Sequence, residues 1–304
     1  MNFKSRIIKD LYWLINSPGL LSPQENIIPY PQWYQDQLTS FYPILKNLDN
    51  NPEFLSRFTD SIKPYVGNYF EKLVALWLTE TPQLERLIQH LTVYDNKRTI
   101  GEFDFLFYDT STQSSFHWEV AIKFYLQYKH GDQIEYLGPN AKDSLAKKVN
   151  KMLNQQLDLS QNPHASLYLH DYPKPIHPLC LLKGYLFYPS TDDWQNPSAI
   201  TTKINKDHLR GWWTPYQPLN IPNAKSDSYW LVLNKPFWLS LHLDSSKPNK
   251  YLLNFSKLES LLFDHFSHTQ SPMLLAEVMQ NNLGEWQEIS RGFVVSSQWP
   301  EPVY

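Results

Sequence analysis

The first eighty residues place apolar side chains at helical spacing. Ile7, Leu11, Leu14 and Ile15 recur at three and four residues, and a second such segment runs from about Trp33 to Leu45. Pro52 opens a short third helix. Asn68, after Gly67, is placed to cap a helix over residues 69–78, whose apolar content requires burial and whose first turns carry Glu71. Beyond Pro82 the period changes. Phe103, Phe105 and Phe107 alternate with Asp104, Leu106 and Tyr108, a period of two with apolar residues on both faces, which predicts a core strand. A polar turn leads to a second alternating run. There Phe116, Trp118, Val120, Ile122 and Phe124 share one face, and His117, Glu119, Ala121, Lys123 and Tyr125 share the other. The short connection predicts an antiparallel hairpin.

Gly138, Pro139 and Asn140 punctuate the chain before a helix predicted from about Ala141 to Leu157. Further on, residues 179–188, 229–233 and 293–295 read as strands and 255–266 as a helix. Together these elements predict an α/β protein with a mixed central β-sheet flanked by helices. Residues 1–165 would form a helical N-terminus and an α/β core, and residues 166–304 a C-terminal α+β extension packed on the same sheet.

Composition narrows the functions open to such a chain. With 42% apolar and 19% charged residues, neither disorder nor a coiled coil describes it. A formal charge of -3 gives no global attraction to nucleic acid or anionic lipid, so any such partner must be held by a local patch. None of the nine glycines falls in a GxGxxG or GxxxxGK[ST] pattern, which removes the common nucleotide-phosphate loops. The single cysteine, Cys180, can form neither an internal disulfide nor a thiolate-rich zinc site. No apolar run approaches the ~18 residues of a membrane span. A cytoplasmic protein without a membrane partner is expected.

The informative chemistry lies in the predicted hairpin. An aspartate inside an apolar strand is costly to bury ionised unless a base or a metal offsets its charge, and Glu119 repeats the problem on the next strand. A hairpin brings Glu119 toward Asp104, so the two carboxylates can converge on one hard cation such as Mg²⁺ or Mn²⁺. Lys123, on the same face as Glu119, would then stabilise developing charge or orient a water. A purely structural network of Asp104, Glu119 and Lys123 is the alternative, and Glu71 could equally be an exposed helix glutamate. Glu102 is expected on the opposite face or at the strand start, outside the metal shell. Lys142, Lys147, Lys148 and Lys151 stand against one acid, Asp143. They form either a solvated face or a surface for nucleic-acid phosphates beside the hairpin.

The strand-turn-strand pattern of Gly101-Glu102-Phe103-Asp104 followed by Glu119 and a lysine resembles the PD-(D/E)xK nuclease superfamily. The resemblance covers about residues 65–155 and implies a restriction-endonuclease-like core and a Mg²⁺-dependent nuclease or phosphodiesterase. It implies Asp104, Glu119 and the main-chain carbonyl of Val120 as metal ligands, Glu71 as a contributor from the preceding helix, and Lys123 as the catalytic cation. One departure stands out. The superfamily spaces its glutamate and lysine two apart, whereas here they are four apart, roughly 13 Å of strand rather than about 6.6 Å. Lys123 could lean back over small Ala121, or Lys147 or Lys148 of the following helix could supply the charge. Over its whole length the chain resembles a bacterial family described only as a domain of unknown function, through His117–Leu126, Leu137–Asp143 and Arg291–Val294.

The reading is therefore a metal-dependent nuclease acting on DNA or RNA. Its rival is a catalytically inactive protein of nuclease-like fold that binds nucleic acid or a protein partner. The displaced lysine motivates the rival.

Overall fold

The computed structural model describes residues 3–24, 26–197, 201–217, 228–243 and 251–301. Helix α1 (Arg6–Asn16) starts where the Ser5 hydroxyl accepts the Ile7 N–H, one of the donors a helix start leaves unpaired. Helices α2 (Pro31–Asp49) and α3 (Pro52–Asp60) each begin with a proline, which has no N–H to leave unsatisfied. Helix α4 (Val66–Thr79) starts earlier than its sequence suggested. The Tyr69 N–H bonds to the Tyr65 carbonyl, so Asn68 lies inside the first turn rather than capping it. Its apolar residues are buried as expected, and the Tyr69 hydroxyl donates to buried Asp10 of α1 at 2.8 Å.

The two alternating runs form β2 (Arg98–Asp109) and β3 (Ser114–His130), antiparallel, with Phe105 opposite Trp118 and Phe107 opposite Phe116. Residues 84–95 depart from the pattern. Leu84, Leu87, Ile88 and Leu91 carry helical spacing, yet the segment is strand β1 (Leu84–Asp95), antiparallel to β2. Local pattern yields here to pairing with an apolar neighbour strand. The register shifts between Glu85 and Ile88, and Arg86 and His90 stand at φ 55° and 53°, which breaks the alternation a reader would look for.

The remaining elements are β4 (Gln133–Leu137), α5 (Leu145–Lys151), a π-helical turn (Met152–Gln156), β5 (Ile176–Pro189), β6 (Leu209–Pro215), β7 (Tyr229–Val232), α6 (Phe255–His268), β8 (Met273–Gln280) and β9 (Trp286–Val295). The helix expected from Ala141 thus begins at Leu145. Ala141 has φ 55° and Lys142 lies in the turn before the helix. Among the described residues six α-helices and nine strands make a mixed α/β fold. Strand order is β1-β2-β3-β5-β6-β9-β8-β7, with β4 paired to β3. The β5/β6 and β6/β9 pairs are parallel and the β8/β9 and β7/β8 pairs antiparallel.

The chain divides into two compact units. One comprises Met1–Ile122, Lys147–Gly184 and Thr202–His208, the other Lys123–Ala146, Tyr185–Thr201 and Leu209–Tyr304, so boundaries fall inside β3, α5 and β5. The first unit holds the α1–α4 helices and a cluster of Val93, Phe103, Leu106, Leu159 and Leu169. In the second, close approach requires glycine at 292. A Cβ there would stand 2.1 Å from the Trp212 ring. Arg291 beside it is 3% exposed and bonds to Glu288 and to the carbonyls of Trp238 and Leu239.

Candidate functional site

The site is built in the first unit, where the pairing of β2 with β3 gives way. Among the described pairs, the ladder runs from Asp109–Ser114 up to Phe105–Trp118. Just beyond it a side chain takes over, and the Val120 N–H donates to the Asp104 carboxylate at 2.9 Å. The Asp104 and Glu119 carboxyl groups are close enough that the charge of Glu119 acts on Asp104. Two carboxylates so placed disfavour each other's ionisation unless a proton or a cation offsets their charge. Burial, then the charge of Glu119, pushes Asp104 up to about 6. Burial likewise pushes Glu119 up to about 7, against the pull of Asp104 hydrogen bonds and of Lys148.

Glu119 has no solvent exposure, and both of its oxygens are held. Oε1 lies 2.8 Å from His117 Nε2, and Oε2 accepts from the Gln156 amide at the end of the π-helical turn. Burial lowers His117 to about 4, so the ring is neutral near pH 7, and toward an ionised Glu119 its Nε2–H is the donor. Phe103 packs edge-on against that imidazole at 4.6 Å. Each carboxylate oxygen has two lone pairs, so these contacts fix Glu119 without exhausting it.

Glu71 comes from α4. Its carboxyl pKa is raised, first by burial and then by Asp104, with Glu102 adding to the rise and His90 and Lys148 opposing it. It is neither an isolated surface glutamate nor fully enclosed, with a side chain 32% exposed. His90 arrives on β1. Gln89 is paired with Phe105 and Leu91 with Phe103, which sets His90 across from Asp104. Its Nδ1 lies 3.5 Å from Glu102 and its Nε2 3.8 Å from Glu71. Glu102 therefore stands beside Asp104, not turned away from it, and its other oxygen accepts from the Thr92 hydroxyl at 2.9 Å.

The lysines separate by role. Lys148, partly buried on α5, acts electrostatically on Glu71, Asp104 and Glu119 together, and Lys151 acts on Glu119. Lys148 also reaches Gln156 at 3.5 Å. Lys123 is engaged in the second unit. Its ammonium bonds to Asp143 at 2.6 Å, and the same oxygen accepts from the Tyr125 hydroxyl at 2.9 Å. Lys142 and Lys147 are exposed. The residues that sequence reasoning left out are His90, His117 and Gln156. The alternation at 116–124 did place His117 on the face of Glu119, whereas His90 and Gln156 sit in segments whose local pattern does not announce their form.

An all-oxygen pair suits a hard cation such as Mg²⁺, and Asp104 and Glu119, with the Val120 main chain adjoining them, are the residues that could hold one. Among the described residues no helix is long and apolar enough to cross a membrane. Residues 9–295 match the family described as "Domain of unknown function (DUF1853)". No curated protein and no solved structure matches the chain.

Proposed function

We propose, for a chain that belongs to the family described as Domain of unknown function (DUF1853), a Mg²⁺-dependent phosphodiesterase that hydrolyses nucleic-acid backbones on a core resembling the PD-(D/E)xK nucleases. One observation carries the reading: buried Glu119 and half-buried Asp104, on adjacent strands, stand across from each other just past the last pair Phe105–Trp118, under the field of Lys148. Asp104 and Glu119 would hold the ion, with the Val120 carbonyl as a third oxygen. When bound, the ion supplies Lewis acidity toward a phosphate oxygen and acidifies water.

The chain's own residues supply the rest. His117 and Gln156 lock the Glu119 rotamer, so the carboxylate is presented rather than searched for. Glu71, whose carboxyl pKa is raised first by burial and then by Asp104, accepts a proton more readily than an ordinary glutamate. Lys148 takes the part that the displaced Lys123 leaves open, offsetting negative charge at the scissile phosphate. Lys147 and Lys151 on the same short helix, and Lys142 before it, would meet flanking phosphates of DNA or RNA as point charges.

A second reading is a nuclease-like binding protein without catalysis. It is favoured by the commitment of both Glu119 oxygens to His117 and Gln156 and of Lys123 to Asp143. Incubation of the pure protein with single-stranded, duplex and branched substrates in Mg²⁺, Mn²⁺ or chelator separates the two. Metal-dependent cleavage lost in Asp104→Ala and Glu119→Ala supports the enzyme. Binding that survives both substitutions, with no substrate cut, supports the binding protein.

A further inference from the structure

Beside the pair assigned above lies a second donor set of different chemistry. One ligand atom each from His90, Glu102 and Asp104 lie within 4.8 Å of one another. The three come from neighbouring strands in fixed register, His90 across from Asp104 and Thr92 opposite Glu102. Unlike the Asp104–Glu119 pair, this set contains an imidazole nitrogen and is open to solvent, with side-chain exposures of 50% for His90 and 47% for Glu102. An ion can therefore enter and keep water ligands.

Independent contacts orient the histidine as a ligand would be oriented. His90 Nδ1 is the ring atom beside Glu102, at 3.5 Å, and Nε2 points to Glu71 at 3.8 Å. A carboxylate thus lies on the side of the ring away from Glu102, the relative placement found in carboxylate–histidine–metal triads. Thr92 holds one Glu102 oxygen at 2.9 Å and leaves the other facing the ring. His90 holds this place at φ 53°, in the left-handed region where histidine, like asparagine and aspartate, is more frequent than other L residues.

We propose that His90, Glu102 and Asp104 form a second divalent-cation site, shared through Asp104 with the first and suited to a transition ion such as Mn²⁺ or Zn²⁺ rather than Mg²⁺. A neutral imidazole with two carboxylates favours ions that accept nitrogen, whereas Mg²⁺ prefers oxygen alone. The inference rests on the preceding reading only in that Asp104 serves both ions. Binding at His90 is defined by its own residues.

The test uses the full chain, without nucleic acid, titrated with Mn²⁺ and followed by electron paramagnetic resonance, with nitrogen hyperfine coupling as the signature of an imidazole ligand. Wild type is expected to bind two ions per chain, one of them nitrogen-coupled. His90→Gly removes the donor and suits the positive φ, and its fold is checked by circular dichroism. In it the coupling disappears and affinity at that site falls by more than about tenfold. Glu102→Gln, at an exposed position, weakens the same ion and spares the other. Glu119→Gln removes the uncoupled ion and leaves the coupled one. Absence of nitrogen coupling in wild type, or its persistence in His90→Gly, overturns the proposal. Failure of the Asp104–Glu119 reading gives a different pattern: a single ion that is nitrogen-coupled and indifferent to Glu119→Gln.

Discussion

Replacing Asp104 by asparagine is expected to stabilise the metal-free protein while removing its response to Mg²⁺. The magnitude follows from the carboxyl environment. In the unfolded chain Asp104 ionises near 3.8, and in the fold burial and Glu119 raise it to about 6. The folded state therefore binds more protons than the unfolded state between those values, and stability is lost as pH rises through them. At pH 8 the ionised group costs on the order of 3 kcal/mol, and at pH 5 about 1.6 kcal/mol. Asparagine keeps an oxygen to accept the Val120 N–H but forfeits the charge on that bond, a loss of about 1 kcal/mol. A net gain of about 2 kcal/mol is expected at pH 8, shrinking by about 1.4 kcal/mol at pH 5. Urea unfolding in chelator, read by fluorescence of the Trp33, Trp77 and Trp118 cluster, measures both. Added Mg²⁺ at ten times its dissociation constant would return about 1.4 kcal/mol to wild type and nothing to the variant. A variant no more stable than wild type at pH 8, or a gain equal at both pH values, refutes the reasoning.

Four other outcomes are expected. Lys148→Met lowers Mg²⁺-dependent cleavage by about a hundredfold or more, the scale of losing one preorganised charge donor, with Kd for nucleic acid changing far less. Lys123→Met instead costs stability, up to about 1 kcal/mol for a partly exposed pair, and cleavage assays on the folded fraction show a much smaller loss than for Lys148→Met. Burial alone would raise the Asp143 pKa, but the Lys123 bond and charge outweigh it and hold it low. The stability this pair adds is therefore lost as pH falls through that lowered value, and in Lys123→Met this part of the acid-unfolding profile flattens. Gly292→Ala sets a Cβ 2.1 Å from the Trp212 ring in a paired strand, so thermal melting should show a loss of at least about 2 kcal/mol. Lys183, fully buried against the Tyr34 ring and the Ser17 carbonyl, has its pKa driven well down by burial. Its unfolded form binds the extra proton, so stability rises with pH below 10.5. Lys183→Met should be most favourable at pH 7, with an advantage that shrinks toward pH 9.5 in urea titrations.

The amino-acid sequence by itself determined the elements whose local period and burial agree. Phe103 to Phe107 and Phe116 to Phe124 alternate because both faces of the hairpin are covered, so strand form and antiparallel pairing are legible without coordinates. The acids are legible for the same reason, since a carboxylate within such a run must be paired, protonated or bound to a cation. Only tertiary structure decided the partners. Strand β1 carries helical spacing and a register shift, and its form comes from pairing with β2, so His90 could not be placed beside Asp104 in advance. Glu102 shares a face with Asp104 because residues two apart on a strand point the same way, and Thr92 and His90 of β1 are the contacts that only the fold supplies to it. Lys123, near Glu119 in sequence, is claimed by Asp143 from a later turn, whereas Lys148 lies close enough for its charge to act on the acids. Local patterning reports which surfaces must be buried, because burial acts on each residue. Which charge meets which depends on how distant segments are brought together, and no single segment encodes that.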